Sequence, residues 1–226
     1  MSTELRWILQ QLHWERPGYW LLVSFLAAAI LHLIQPTFAP RRREQIRLLR
    51  WVLIPYLGLL AGGLSPRLMG LSQVDWVAGL GLGLGIVVAV LVLLALIRAT
   101  FHWQEGDGEE AEETPALFGS WVTPWILAGA LEFHWAFLRG AVWELLLALP
   151  QPPDVPAYWA VWIAALLALP GLVALRRQTA RRLMDGLILL TTSILFFYTR
   201  NFWLCWLLHG GIQALLMRPQ RRVSPA

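Results

Sequence analysis

The sequence predicts an all-α fold: a polytopic transmembrane bundle of about seven spans, with an N-terminal helix lying on the membrane surface. Three observations carry this expectation. The chain of 226 residues is 58% hydrophobic and only 14% charged, a balance suited to a protein whose solvent is lipid on most sides. Long apolar runs alternate with short segments that hold most of the arginines. The 14 tryptophans suit the headgroup layer, where indole keeps a wide apolar face and one N–H in contact with water.

Residues 1–16 read as an interfacial amphipathic helix, with Leu5, Ile8, Leu9 and Leu12 on one face and Trp7 and Trp14 available to the interface. The first span runs from Tyr19 to Leu33, holds His32 near its end and is closed by Pro36. No small-residue cleavage site follows it, so no cleaved signal is expected. The stretch from Arg41 to Arg50 is the most basic of the chain, and Trp51 to Gly63 forms the second span, with Pro55 as a candidate kink. Trp76 to Ile97 is the third span. Its Gly79, Gly81, Gly83 and Gly85 make two overlapping GxxxG patterns, which leave backbone bare for a close neighbour.

Residues 99–116 form an acidic linker around Glu105, Asp107, Glu109, Glu110, Glu112 and Glu113. It divides an N-terminal three-helix part, 17–98, from a four-helix core, 117–217. Trp121 to Leu149 is a fourth span longer than a bilayer requires. Gln151 to Pro156 turns the chain into a fifth span, Tyr158 to Leu175, with Pro170 inside it. Leu183 to Tyr198 and Phe202 to Met217 are the sixth and seventh, separated by a very tight turn. A basic tail, 218–226, closes the chain.

Placing the N-terminus outside and alternating through seven spans puts Arg41, Arg42, Arg43, Arg47, Arg50, Arg98, Arg176, Arg177, Arg181, Arg182, Arg218, Arg221 and Arg222 on the inner side. Arg6, Arg16, Arg67 and Arg200 are left outside. The positive-inside rule then predicts a multi-pass membrane protein with a cytoplasmic C-terminus. The net charge of +4 contains no lysine. Because the arginines are dispersed between spans and form no single stripe, a nucleic-acid partner is not expected. A single cysteine, Cys205, excludes an internal disulfide and a cysteine-based metal cluster.

The fourth span also carries ionisable groups. Each charge near a helix centre costs about 2.5–3.5 kcal/mol on insertion scales, so Glu132 and Arg139 need partners. Seven positions apart, they return to within about 20° on the helix but stand about 10 Å apart along its axis, so pairing needs both side chains to reach. His134 points about 160° away from Glu132. Glu144 stands near the far end, within reach of water. In the seventh span His209 and Gln213 stack on one face, and Gly210 with Gly211 thin the helix for a partner helix or a substrate backbone.

The order of these features resembles the CPBP family, the intramembrane proteases related to CAAX prenyl endopeptidases and bacteriocin-processing proteins. Phe137-Leu138-Arg139-Gly140 is similar to the tail of the family's Glu-Glu-x-x-x-Arg-Gly motif. His209 with Gln213 resembles its His-x-x-x-Asn motif, with Gln one methylene longer than Asn. The stretch Tyr198 to His209 resembles the tight turn and terminal histidine helix. The chain departs from the family in two places. The Glu-Glu pair would fall on His134 and Trp135, with Glu132 two residues early, and the histidine of the second motif, Phe-x-x-x-His, is missing between Tyr158 and Tyr198.

The resemblance implies a glutamate-based endopeptidase of membrane-associated peptides. Glu132 would be the general base, His209 and Gln213 would polarise the scissile carbonyl and Arg139 would orient the carboxylate, with His134 beside them. The departures favour a second expectation, a non-catalytic member acting as scaffold, assembly factor or accessory subunit of a membrane complex. On that reading Glu132 with Arg139 is an internal salt bridge, and His209 with Gln213 is interhelical glue. No cofactor and no metal are expected. Glu132 and His134 diverge on one helix, and neither CxxCH nor paired-histidine spacing supports haem or pigment at His32, His134 or His209. A transporter would call for an internal repeat, and none is visible. Expected partners are the lipid bilayer and either a membrane complex or a peptide substrate.

Overall fold

In the computed structural model, residues 13–34, 37–100, 122–175 and 179–216 are described. They form seven helices: α1 Pro17–Ile34, α2 Pro40–Leu60, α3 Trp76–Thr100, α4 Thr123–Leu147, α5 Pro156–Leu175, α6 Thr179–Thr199 and α7 Phe202–Leu216. No strand occurs among the described residues. The interfacial helix of 1–16 falls almost entirely outside them, as do nearly all of the acidic linker and the basic tail.

α4 organises the bundle. From Leu131 to Trp143 nearly every residue is buried, the mark of a helix enclosed on all sides and not lying on a surface. α5 and α7 pack along it on two sides, and α2 and α1 on others. α3 reaches the bundle through α7 and α6, so helices on both sides of the acidic linker pack together.

Four helical stretches are long and apolar enough to cross a membrane: Pro17–Ile34, Gly79–Ile97, Pro156–Val173 and Arg182–Thr199. Phe202–Leu215 is apolar but shorter. α2 and α4 are absent from this set because polar groups interrupt them, and it is α4 that the others enclose.

The second element begins earlier than expected. The basic stretch is part of α2: Pro40 opens the helix at a position where no N–H is needed, and Glu44 pairs with Arg47 one turn on. Pro55 lies inside a helix that continues to Leu60. There the N–H of Gly63 donates to the Gly58 carbonyl at 3.0 Å, with Gly62 at φ 72°, the glycine-closed C-terminus that caps stray carbonyls.

The segment between α2 and α3 folds back onto the bundle. Met69 is fully buried and lies where a Cβ on Gly140 would meet its Cγ at 2.7 Å. Glu144, half-buried near the end of α4, accepts the Ser65 backbone N–H on Oε1 at 2.5 Å, which ties this segment to α4. Gly70, at φ 73°, takes the Phe202 N–H on its carbonyl at 3.0 Å. The expected tight turn between the last two helices is Arg200-Asn201. Arg200 adopts φ 48° and donates its N–H to Phe196 at 2.7 Å. Asn201 Oδ1 accepts from the N–H groups of Trp203 and Leu204 at 2.9 and 3.3 Å, an N-cap for α7.

The two GxxxG patterns separate. A Cβ on Gly83 would meet Leu204 Cδ1 at 2.5 Å and Thr199 Cγ2 at 2.9 Å, whereas Gly81 and Gly85 have nothing within 4 Å. The close approach expected at Gly210 and Gly211 is made by the chain's own helices, through Trp125 of α4 and Leu91 of α3.

Candidate functional site

The polar residues of α4 and α7 meet in the centre of the bundle. Side chains on a helix lean toward its N-terminus, so the longer partner, Arg139, reaches back along α4 to Glu132. Arg139 Nη1 donates to Glu132 Oε1 at 2.7 Å. From α7, His209 Nδ1 lies 3.3 Å from Glu132 Oε2. Its Nε2 lies 3.0 Å from Gln213 Nε2. An amide NH2 can only donate, so with Gln213 in this orientation Nε2 accepts and the proton of a neutral ring sits on Nδ1, directed at the carboxylate. Both oxygens of Glu132 are therefore engaged, one by a guanidinium and one by an imidazole.

A second layer holds these groups in place. Arg139 Nη2 donates to Thr192 Oγ1 of α6 at 3.3 Å, and its Cζ stands 4.9 Å from the centre of the Phe196 ring, a cation–π contact. Trp135 stacks on His209 at 5.1 Å and 16°. Cys205 donates its thiol to the Thr192 carbonyl at 3.4 Å. The exposures are 0% for Glu132, 1% for Arg139 and 1% for His209, and Gln213 is half-buried.

Four of the five residues singled out from the sequence, Glu132, Arg139, His209 and Gln213, form one continuous chain of contacts. His134 is not part of it. It lies on another side of α4, stacked on Phe137 at 5.8 Å and 21°, with Nδ1 buried and unpartnered among the described residues. His32 is exposed near the end of α1. Trp135, Thr192 and Phe196 were missed. Thr191-Thr192-Ser193, a polar trio in an apolar run, was a readable signal for Thr192; nothing local distinguishes Phe196 from a lipid-facing phenylalanine.

Chemically the arrangement has two sides. A carboxylate, an imidazole and an amide stand in line, an order that can move a proton or orient a base. Yet the carboxylate is neutralised by Arg139, and Glu132, Arg139 and His209 are all buried. Two surface grooves among the described residues are apolar. One, of about 460 Å³, is bounded by Leu91, Trp125, Gly211 and Leu215. The other, of about 320 Å³, is bounded by Trp76, Trp125, Trp203 and Trp206. Neither is lined by Glu132, Arg139, His209 or Gln213. Among the described residues no group of three His, Cys, Asp or Glu side chains converges in a way that could hold a metal ion. No family model matches this chain, and no curated protein or solved structure matches it.

Proposed function

We propose that this chain is a divergent CPBP-type membrane protein whose polar core joins helices instead of cleaving peptides, and that it serves as a scaffold, assembly factor or accessory subunit of a membrane complex. The observation that carries this reading is the engagement of both Glu132 oxygens, by Arg139 and His209, where Glu132 itself is fully buried. A base that is salt-bridged and fully buried is poorly placed to meet a substrate carbonyl. The same contacts suit a clasp that ties α4 to α6 and α7. The topology that goes with the reading has seven spans and an inner C-terminus, and it is supported by the arginine distribution. The test is complementation and isolation under native detergent conditions. Glu132→Gln and His209→Ala variants that still insert should restore a deletion strain, and the native chain should co-purify with other membrane proteins in fixed ratio.

A second reading keeps the endopeptidase. It is favoured by the carboxylate–imidazole–amide line, with separations of 3.3 and 3.0 Å. On that reading Glu132 is the base, His209 and Gln213 polarise the carbonyl, and a helix movement must open the core. Loss of complementation by both inserted variants, together with accumulation of an uncut membrane peptide, would replace the scaffold reading with this one.

A further inference from the structure

The half-buried side of α2 holds three arginines. Arg43, Arg47 and Arg50 are half-buried on the side that continues into the buried Trp51, Ile54 and Gly58, whereas Arg41 and Arg42 are exposed. Arg43 donates through Nε to the Phe38 carbonyl at 2.6 Å. Arg47 pairs with Glu44 and lies over Trp51 at 5.3 Å. Arg50 makes no hydrogen bond or ion pair with any described residue.

α2 packs along α4, and His134 of α4 is 9% exposed with an unpartnered Nδ1. Residue counting along the two helices sets them at about the same level. Glu144 of α4 meets Ser65 just beyond the end of α2 at Leu60. Counting back from Leu60 to Arg50 and from Glu144 to His134 covers about 15 Å on each helix. The packing of α2 on α4 brings the charge of Arg50 within electrostatic reach of the His134 ring.

We propose that Arg50 and His134 form a phosphate-binding site between α2 and α4. A guanidinium offers a planar fork of donors matched to phosphate oxygens. A neutral imidazole with its proton on Nδ1 adds a further donor from a dry wall. An unanswered cation and an orphaned ring nitrogen on facing helices are each costly alone, and one phosphate satisfies both. The phosphate is either the headgroup of an anionic lipid or a free anion. The half-buried Arg50 is on the same helix as the exposed Arg41 and Arg42, whose end of α2 is the inner one on the topology proposed above, where anionic lipid is attracted to clustered arginines. The site rests on that membrane placement, and it is independent of whether the Glu132 cluster is catalytic.

The test uses the full chain in nanodiscs and in detergent, with phosphatidylglycerol, phosphatidylcholine and inorganic phosphate as probes. Native mass spectrometry should show phosphatidylglycerol retained over phosphatidylcholine. Arg50→Gln should weaken that retention about fivefold, the worth of one arginine near an anionic surface. His134→Phe should weaken it less, and Arg67→Gln should leave it unchanged. Thermal stabilisation by inorganic phosphate that is lost in Arg50→Gln, without lipid selectivity, supports the same site with a soluble source. Should Arg50→Gln fail to fold, Arg50→Lys and His134→Phe carry the comparison. A wild-type chain that neither prefers the anionic lipid nor responds to phosphate overturns the proposal. So does lipid retention indifferent to both Arg50 and His134, which would assign it to the exposed arginines. A chain that folds without detergent would instead remove the membrane placement itself.

Discussion

At the residue scale, the chain places two opposite charges inside a helix enclosed on all sides and then satisfies each twice. Glu132 is held by Arg139 and His209, and Arg139 by Glu132 and Thr192. Removing one member of such a pair leaves the other charge buried without compensation, at a cost of about 3–5 kcal/mol, whereas replacing both by apolar groups of similar size is often neutral. Glu132→Leu and Arg139→Met should each lower unfolding stability in detergent by that amount, and the double variant by much less than the sum. Strictly additive losses in reversible unfolding would show that the two side chains do not share their stabilisation. Glu132 and Arg139 were both legible as a same-face pair, because helical periodicity is a local property. His209 as the second partner was not, since the separation of 77 positions along the chain carries no periodic signal.

At the element scale, small residues decide which helices touch. Gly83 sits against Leu204 and Thr199, while Gly81 on the same helix has open space around it. Gly83→Leu should therefore destabilise the bundle or displace α3 from α7, and Gly81→Leu should leave the melting temperature within a degree or two of wild type. Equal effects from the two substitutions would mean that α3 does not dock through the Gly79–Gly83 face. The turn between α6 and α7 makes a separate prediction. Asn201→Ala removes the acceptor for two N–H groups at the start of α7, worth about 0.5–2 kcal/mol. Asn201→Asp, which keeps the acceptor, should recover most of the loss. Both GxxxG patterns were plain in the sequence, but only packing separates the used face from the open one. The extension of α2 back to Pro40 was missed for a related reason: five arginines in the stretch 41–50 looked like a boundary, although arginine is a good helix former.

At the scale of the whole molecule, four long apolar helices and a fifth shorter one surround a polar centre. Wide bands of leucine, valine and tryptophan are exposed along α1, α3 and α5, far more apolar surface than a soluble chain leaves to water. The proposed orientation is open to direct measurement. A membrane-impermeant maleimide should label Gln151→Cys in intact cells and Ser224→Cys only after lysis. Buried Cys205 should stay silent in both. The reverse pattern would invert the topology and move the α2 arginines to the outer leaflet.

The sequence by itself determined the all-α class, the order of seven helices to within a few residues at most of their ends, and the residues able to carry charge into the interior. These follow from composition and from the helical repeat, which are local. Tertiary structure alone decided that Arg139 and His209 share one carboxylate, that Glu144 clasps Ser65, that His134 lies apart from the cluster, and that Glu132 is fully buried. Each of these depends on which helix faces comes to lie against α4, and that is settled by side-chain volumes and glycine contacts summed over the whole bundle.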